Sequence, residues 1–260
     1  MKNTLLYNFG KDLYYKYMFF RGIPHKWGKK FVYTIYRGVK IRFLLYSIKG
    51  DGFHSSKYLN ENLSTLHREI KGYLALRDVK EGDLILDCGA YNGAFSVYAC
   101  KKAGPKGLVV CFEPDKRNAE ILRKNLKANN CKNFKIIEKG LWNKPTELKF
   151  KSGGVGAMIS KEGDVTINVT SLDYELNKLK IPFSKVNFVK MDIEGAEIEA
   201  LDGMKKLLNQ KKKPYVAIAS YHIVNGEKTY KEVEKKLKKF KYKKIKSVFP
   251  GHLTTVAMQQ

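Results

Sequence analysis

Long apolar runs are missing from this 260-residue sequence. Segments such as 108–112 are strand length, far short of the roughly 18 consecutive apolar residues of a membrane-spanning helix, so a transmembrane protein is excluded. The first residues carry Lys2 but break at Asn8, Gly10, Lys11 and Asp12 before an apolar stretch forms. That reads as the lack of a secretory signal and predicts a cytoplasmic protein. Cysteine is scarce: Cys88, Cys100, Cys111 and Cys131 include no C-x-x-C pair and have no histidine nearby. A zinc site and a disulfide framework are both excluded, and Cys88 and Cys111, inside apolar runs, read as small buried hydrophobes. Internal repeats and low-complexity linkers are also missing, so no separate N-terminal domain is indicated. Acids are rare at both ends. Residues 1–50 hold 11 Lys/Arg against Asp12 alone, residues 205–260 hold 15 against 3, and the stretch between is nearly neutral. The formal charge of +25 therefore belongs to two cationic flanks around an ordinary domain.

From Gly82 onward, short apolar runs alternate with amphipathic segments of helix length, the pattern of a parallel sheet covered by helices. Strands are predicted at 83–87, 108–112, 134–138, 186–191 and 214–219. Helices are predicted at 93–102, 115–129, 196–208 and 227–241, the third with Ile198, Leu201, Met204 and Leu208 on one face. Ser171 suits a helix N-cap. Polar and Gly-rich residues 144–168 read as an insert of small strands. Pro250 and Gly251 mark an antiparallel hairpin between strands at 243–248 and 253–258. Residues 1–80 form a basic, aromatic extension with an early helix, a small hairpin within 31–48 and a connecting helix at 60–77. Residues 81–260 form the main domain.

The most informative segment runs Asp87, Cys88, Gly89, Ala90, Tyr91, Asn92, Gly93, after a buried strand and at the opening of a helix. Gly89 and Gly93 let backbone approach a ligand, and the free N–H groups of the helix start point to the same place. Glu113, at the end of the next strand, is placed to hold both hydroxyls of a ribose. G-x-G-x-x-G is absent, which makes NAD the poorer ligand. The loop resembles motif I of class I S-adenosylmethionine-dependent methyltransferases, and Phe112, Glu113 and Pro114 resemble their ribose-binding acidic loop. Ser171-Leu172-Asp173, followed by Lys190-Met191-Asp192-Ile193-Glu194-Gly195-Ala196-Glu197, resembles the T-L-D and K-I-D-x-E-G-x-E elements of FkbM-type methyltransferases over roughly residues 82–220.

This resemblance implies a Rossmann-like α/β fold, with a mostly parallel sheet, an antiparallel C-terminal hairpin and helices on both faces. It implies S-adenosylmethionine as cofactor, with Asp87, Gly89, Ala90, Tyr91, Asn92, Gly93, Glu113, Leu141 and Asp192 as its binding residues. It further implies O-methylation of a sugar, glycan or lipid-linked hydroxyl, with Asp192, Glu194 or His222 receiving the proton. Asp192 is placed to contact the donor or the acceptor; Glu194 and Glu197 to bind polar groups, take a proton or ligate a divalent cation. No residue is assigned as a metal ligand. Glu197 and Glu199 read first as charges favoured by a helix N-terminus. Lys190, inside an apolar strand, requires a carboxylate partner, and Asp173 is a candidate. His222, with Tyr221 beside it, follows a strand at the same sheet edge and suits a general base. His25, His54, His67 and His252 have no such setting and are assigned no role.

The flanks admit three readings: contact with an anionic membrane or lipid-linked glycan through the N-terminal segment, RNA binding through the helix at 227–241, or a solvated surface. RNA methylation is the weaker enzyme reading, because no N-P-P-Y-like motif is present and residues 190–197 place acids where a polyanion is repelled. A non-catalytic donor-binding or membrane-docking module is the remaining alternative. Acceptor specificity is expected in residues 1–80 and in the insert.

Overall fold

The computed structural model describes residues 25–27, 31–44, 56–151, 158–159 and 162–259. The helix expected among the first twenty residues, His54 and the Gly-rich Ser152 to Gly156 lie outside them. Three strands, β1 (His25–Trp27), β2 (Phe31–Tyr36) and β3 (Val39–Leu44), form an antiparallel sheet. The turn between β2 and β3 places Arg37 (φ 46°) and Gly38 (φ 76°) in the left-handed region that two-residue hairpin turns require. β1 was not anticipated. Helix α1 (Ser56–Tyr73) begins and ends about four residues earlier than its periodicity suggests.

The main sheet is then built in sequence. β4 (Leu84–Cys88), α2 (Ala94–Ala103), β5 (Leu108–Phe112), α3 (Lys116–Ala128) and β6 (Phe134–Ile137) come first. The small insert follows as β7 (Gly140–Leu141), β8 (Thr146–Lys151), β9 (Met158–Ile159) and β10 (Val165–Thr170). After α4 (Leu172–Lys178), capped by the Ser171 hydroxyl as expected, β11 (Val186–Met191) enters the sheet. Next are α5 (Glu197–Asp202), α6 (Lys205–Leu208), β12 (Tyr215–Ala219), β13 (Ile223–Val224), β14 (Glu227–Lys228) and α7 (Tyr230–Lys239). β15 (Lys244–Val248) and β16 (Thr254–Met258) form the closing hairpin.

Strand order is β6-β5-β4-β11-β12-β16-β15, parallel from β6 to β12, with β16 antiparallel to both of its neighbours. The chain runs outward from β4 to β6 and then returns to the other side of β4. The sheet therefore has its topological switch between β4 and β11, where open α/β sheets bind ligands at the strands' carboxyl ends. Strand alternation sends Ile85, Val109, Phe188 and Tyr215 into the layer under α1 and α2. Leu86, Val110, Val189 and Val216 enter the opposite layer with α4 to α7. β3 docks on α2 and α3 through the fully buried Ile41 and Phe43. There the Asn129 side chain accepts from Arg42 N (2.8 Å) and donates to Arg42 O (2.6 Å), as a neighbouring strand would.

Two helix expectations need correction. The segment 196–208 is broken, with α5 ending at Asp202 and α6 starting at Lys205. A Cβ on Gly203 would lie 2.2 Å from Trp142 O, so the chain presses on the insert at that point instead of continuing the helix. The segment 227–241 becomes helical only at Tyr230, because Asn225 (φ 52°) and Gly226 (φ 82°) form a turn that pairs β13 with β14. Among the described residues no helix is long and apolar enough to cross a membrane. All the cysteines are free and buried.

Candidate active site

The loop after β4 is shaped by backbone contact. Gly89 has φ +76°, and a Cβ there would lie 1.8 Å from Asp192 O, so the loops leaving β4 and β11 touch at a position open only to glycine. Gly93 (φ +86°) starts α2, with Leu122 at the place of its missing side chain. Ala90 N donates to Phe112 O (3.0 Å), and the Asn92 side chain accepts from Ala94 N (3.2 Å). Glu113, at the end of β5, accepts from Tyr91 N (2.8 Å) and Asp115 N (3.0 Å), tying this loop to the next. Burial raises its carboxyl to about 7 despite these hydrogen bonds. Leu141 sits apart, with its side chain in the apolar layer beneath the sheet.

Behind the loop, Asp87 and Lys190 face each other across paired strands and lie on the same side of the sheet. Their charges meet at 3.1 Å in full burial, and Lys190 Nζ also donates to Gly89 O (2.6 Å). Ser96 Oγ donates to the other oxygen of Asp87 (2.5 Å). Burial opposes the charge on Lys190, but Asp87 and then Asp192 hold its pKa above the ordinary value. Asp173 is therefore not its partner. That carboxylate caps α6, accepting from Lys206 N (2.7 Å) and Leu207 N (3.0 Å), while strand register supplies Asp87 to the lysine.

The second part of the site gathers at the ends of β11 and β12. Glu194 (φ 54°) and Gly195 (φ 99°) turn the chain sharply after Asp192. This brings Glu194 Oε2 to 3.3 Å and Asp192 Oδ1 to 3.6 Å from His222 Nε2. Glu197, read from the sequence first as a helix-end charge, is fully buried. Its Oε1 lies 2.8 Å from His222 Nδ1 and accepts from Gly195 N (3.1 Å), which fixes the ring from behind. Burial opposes a charge on His222, but Glu194, Glu197 and Asp192 raise its pKa to about 10. The Asp192 carboxyl is held low: burial works against its charge, while Lys190, His252 and His222 favour it.

Sequence reasoning missed several neighbours. Tyr73 at the end of α1 donates to Asp192 Oδ2 (2.8 Å), and His252 from the closing hairpin lies 3.1 Å from the Tyr73 hydroxyl. Tyr221, already placed beside His222 by the sequence, is tilted against both His222 and His252. Glu69, one helical turn before Tyr73, has its carboxyl raised to about 7 by burial and by Asp192. None of these lies in a motif; only their positions at element ends hinted at them. Of the other histidines, His67 joins α1 to the N-terminal sheet through Thr34 (2.6 Å).

Residues 87–244 match the methyltransferase FkbM domain, a span of more than half the chain that contains the loop after β4, Glu113, Asp192, Glu194, Glu197 and His222 but not Glu69, Tyr73 or His252. The chain belongs to the FkbM methyltransferase family. The matched family is one of methyltransferases, as the motifs implied. This FkbM-family chain is 29% identical over 140 residues to the hexuronic acid methyltransferase AglP of Haloferax volcanii, covering 52% of the chain and 55% of that relative. The chain thus spans about half the length of the curated relative it matches. In fold it resembles the fibrillarin pre-rRNA processing protein of Methanococcus jannaschii (16% identical, 91% of this chain and 97% of that one, TM-score 0.50). It also resembles a chain of a fibrillarin/Nop5p complex (18% identical, 76% and 81%, TM-score 0.50).

Proposed function

We propose that this enzyme methylates a hydroxyl of a sugar-bearing acceptor, held where Asp192, Glu194 and His222 converge. The observation that carries the reading is this convergence beside the motif I loop, at the switch point between β4 and β11. Similarity to a hexuronic acid methyltransferase supports a saccharide acceptor. When bound, S-adenosylmethionine supplies an electrophilic methyl carbon. The chain's task is to align the acceptor oxygen with that carbon and manage one proton.

The residues at the loop suit such a donor. A carboxylate has about four acceptor positions, so Glu113 retains capacity for ribose hydroxyls after its backbone bonds. Residues 87–93 with Glu113 form the donor side. Asp192, anchored by the Tyr73 hydroxyl, separates donor from acceptor. Glu194, with 30% of its side chain exposed, and His222, backed by Glu197, face the acceptor hydroxyl. Tyr73 and Glu69 come from the N-terminal segment, which supports a part for that segment in acceptor choice. The cationic flanks suit an acceptor carried on an anionic surface, such as a lipid-linked saccharide at the cytoplasmic face of a membrane.

The test is transfer of radiolabelled methyl from S-adenosylmethionine to uronic-acid glycans, neutral glycans and RNA. Label is expected in a glycan fraction, with turnover lost in Glu194→Gln and donor affinity retained. Nuclease-sensitive label, or full turnover in Glu194→Gln, would overturn the reading.

A further inference from the structure

We propose that Asp192, Glu194 and His222 form a binding site for one divalent cation of the Mg²⁺/Mn²⁺ class. The inference rests on the reading that the acceptor sits at this corner, and it specifies how the corner engages the acceptor. Asp192 Oδ1, Glu194 Oε2 and the imidazole nitrogen converge with all ligand atoms within 4.8 Å of one another. Octahedral coordination at about 2.1 Å places adjacent ligand atoms about 3.0 Å apart and opposite ones about 4.2 Å apart. The observed 3.3 and 3.6 Å spacings from Nε2 fall within that range.

Two further observations point to an ion. His222 is 8% exposed, and its Nε2 makes no hydrogen bond although it is aimed between the carboxylates; Asp192 Oδ1 is likewise buried and without a hydrogen-bond donor. Orphaned polar atoms of this kind are costly to bury unless something occupies the space between them. The second observation is the support behind the ring. Glu197 Oε1 lies 2.8 Å from Nδ1, so a cation that takes the place of the Nε2 proton would be ligated by a ring with a carboxylate beside its other nitrogen. A carboxylate beside the second ring nitrogen is the usual companion of a metal-ligating histidine.

The charge distribution agrees. Asp192, Glu194 and Glu197 lie within 3.6 Å of the His222 ring nitrogens, and Lys190 is already committed to Asp87 and the Gly89 carbonyl. Carboxylate oxygens with one imidazole suit a hard to borderline cation, and the imidazole favours Mn²⁺ over Mg²⁺. Three protein ligands leave coordination positions open on the exposed Glu194 side. Two adjacent oxygens of an acceptor, a vicinal diol or a hydroxy acid, would fill them. The cation would lower the pKa of the coordinated hydroxyl and shield an acidic sugar from Asp192 and Glu194.

The experiment uses the full chain stripped with a chelator and titrated with Mn²⁺ alone, following the loss of the free Mn²⁺ electron paramagnetic resonance signal. One saturable site is expected in the wild type, weakened tenfold or more in both Glu194→Gln and His222→Asn. Affinity for S-adenosylmethionine, measured on the same samples, should be retained, which reports that the variants fold. No saturable Mn²⁺ binding in the wild type, or wild-type binding in both variants, would overturn the proposal. Glycan methylation that persists in chelator with no Mn²⁺ site would sink this inference and leave the acceptor reading intact. Mn²⁺ binding with label going only into RNA would do the reverse.

Discussion

The two halves of the site are built by opposite means. On the proposed donor side, Gly89 N and Ala90 N donate to Phe112 O and Tyr91 N donates to the Glu113 carboxylate, and the contributing residues fall within two short stretches of chain. On the acceptor side, Glu69, Tyr73, Asp192, Glu194, His222 and His252 arrive from widely separated elements, and several buried polar atoms lack hydrogen bonds. The first half is a finished cradle. The second is a concentration of charge gathered around His222, where we place the acceptor. A donor common to many enzymes favours a fixed local motif, while an acceptor particular to one enzyme is met by side chains that tertiary structure assembles.

The sharpest way to break this contrast is at Lys190, which belongs to both halves. Lys190→Met leaves Asp87 buried without its ion pair, and stability should fall by about 3–5 kcal/mol in denaturant unfolding. Adding Asp87→Asn should return part of that loss. A Lys190→Met protein as stable as the wild type would mean that the pair does not join the halves.

Glu197 separates the halves. Glu197→Gln keeps an acceptor for Gly195 N but weakens the hold on His222. Turnover should drop about 10–100-fold while donor affinity measured by calorimetry stays unchanged. Equal loss in both quantities would show that the halves are one unit.

The smallest effect is read from pH. The Glu113 carboxyl is raised from 4.5 to about 7, so the folded chain keeps a proton that the unfolded chain releases. Its contribution to stability is present below about 4.5 and is lost as pH rises through about 7. Ribose hydroxyls favour the ionised form. Donor affinity should therefore rise about tenfold between pH 6 and 8 and be flat in Glu113→Gln. A flat wild-type profile would remove Glu113 from the donor contact.

Legibility in the sequence follows the same division. Strands β4, β5 and β11 were readable because buried parallel strands are continuous apolar runs, and the motif I loop because glycine spacing is local. The two parts of 196–208 were not readable as separate helices, since the reason for the break, Trp142 O against Gly203, is remote in sequence. Asn225 and Gly226 were a local hairpin signal, but the helical period that follows masked it. Asp87 as the partner of Lys190 needed strand register, and Tyr73 and His252 needed the packing of α1 and the closing hairpin around Asp192. Residues 87–93 announced a glycine-shaped loop at the sheet's switch point; no single window of sequence announced the corner around His222.

The position of β16 between β12 and β15 also sets an order of assembly. During synthesis β15 emerges first, yet β12 pairs with β16, so β15 has no place in the sheet until the strand after it has been made and inserted. His252 lies in the connection between these two strands and reaches the Tyr73 hydroxyl only once that insertion is complete. A growing chain thus holds the loop after β4 and Glu113 well before it can bring His252 to Tyr73 and Asp192.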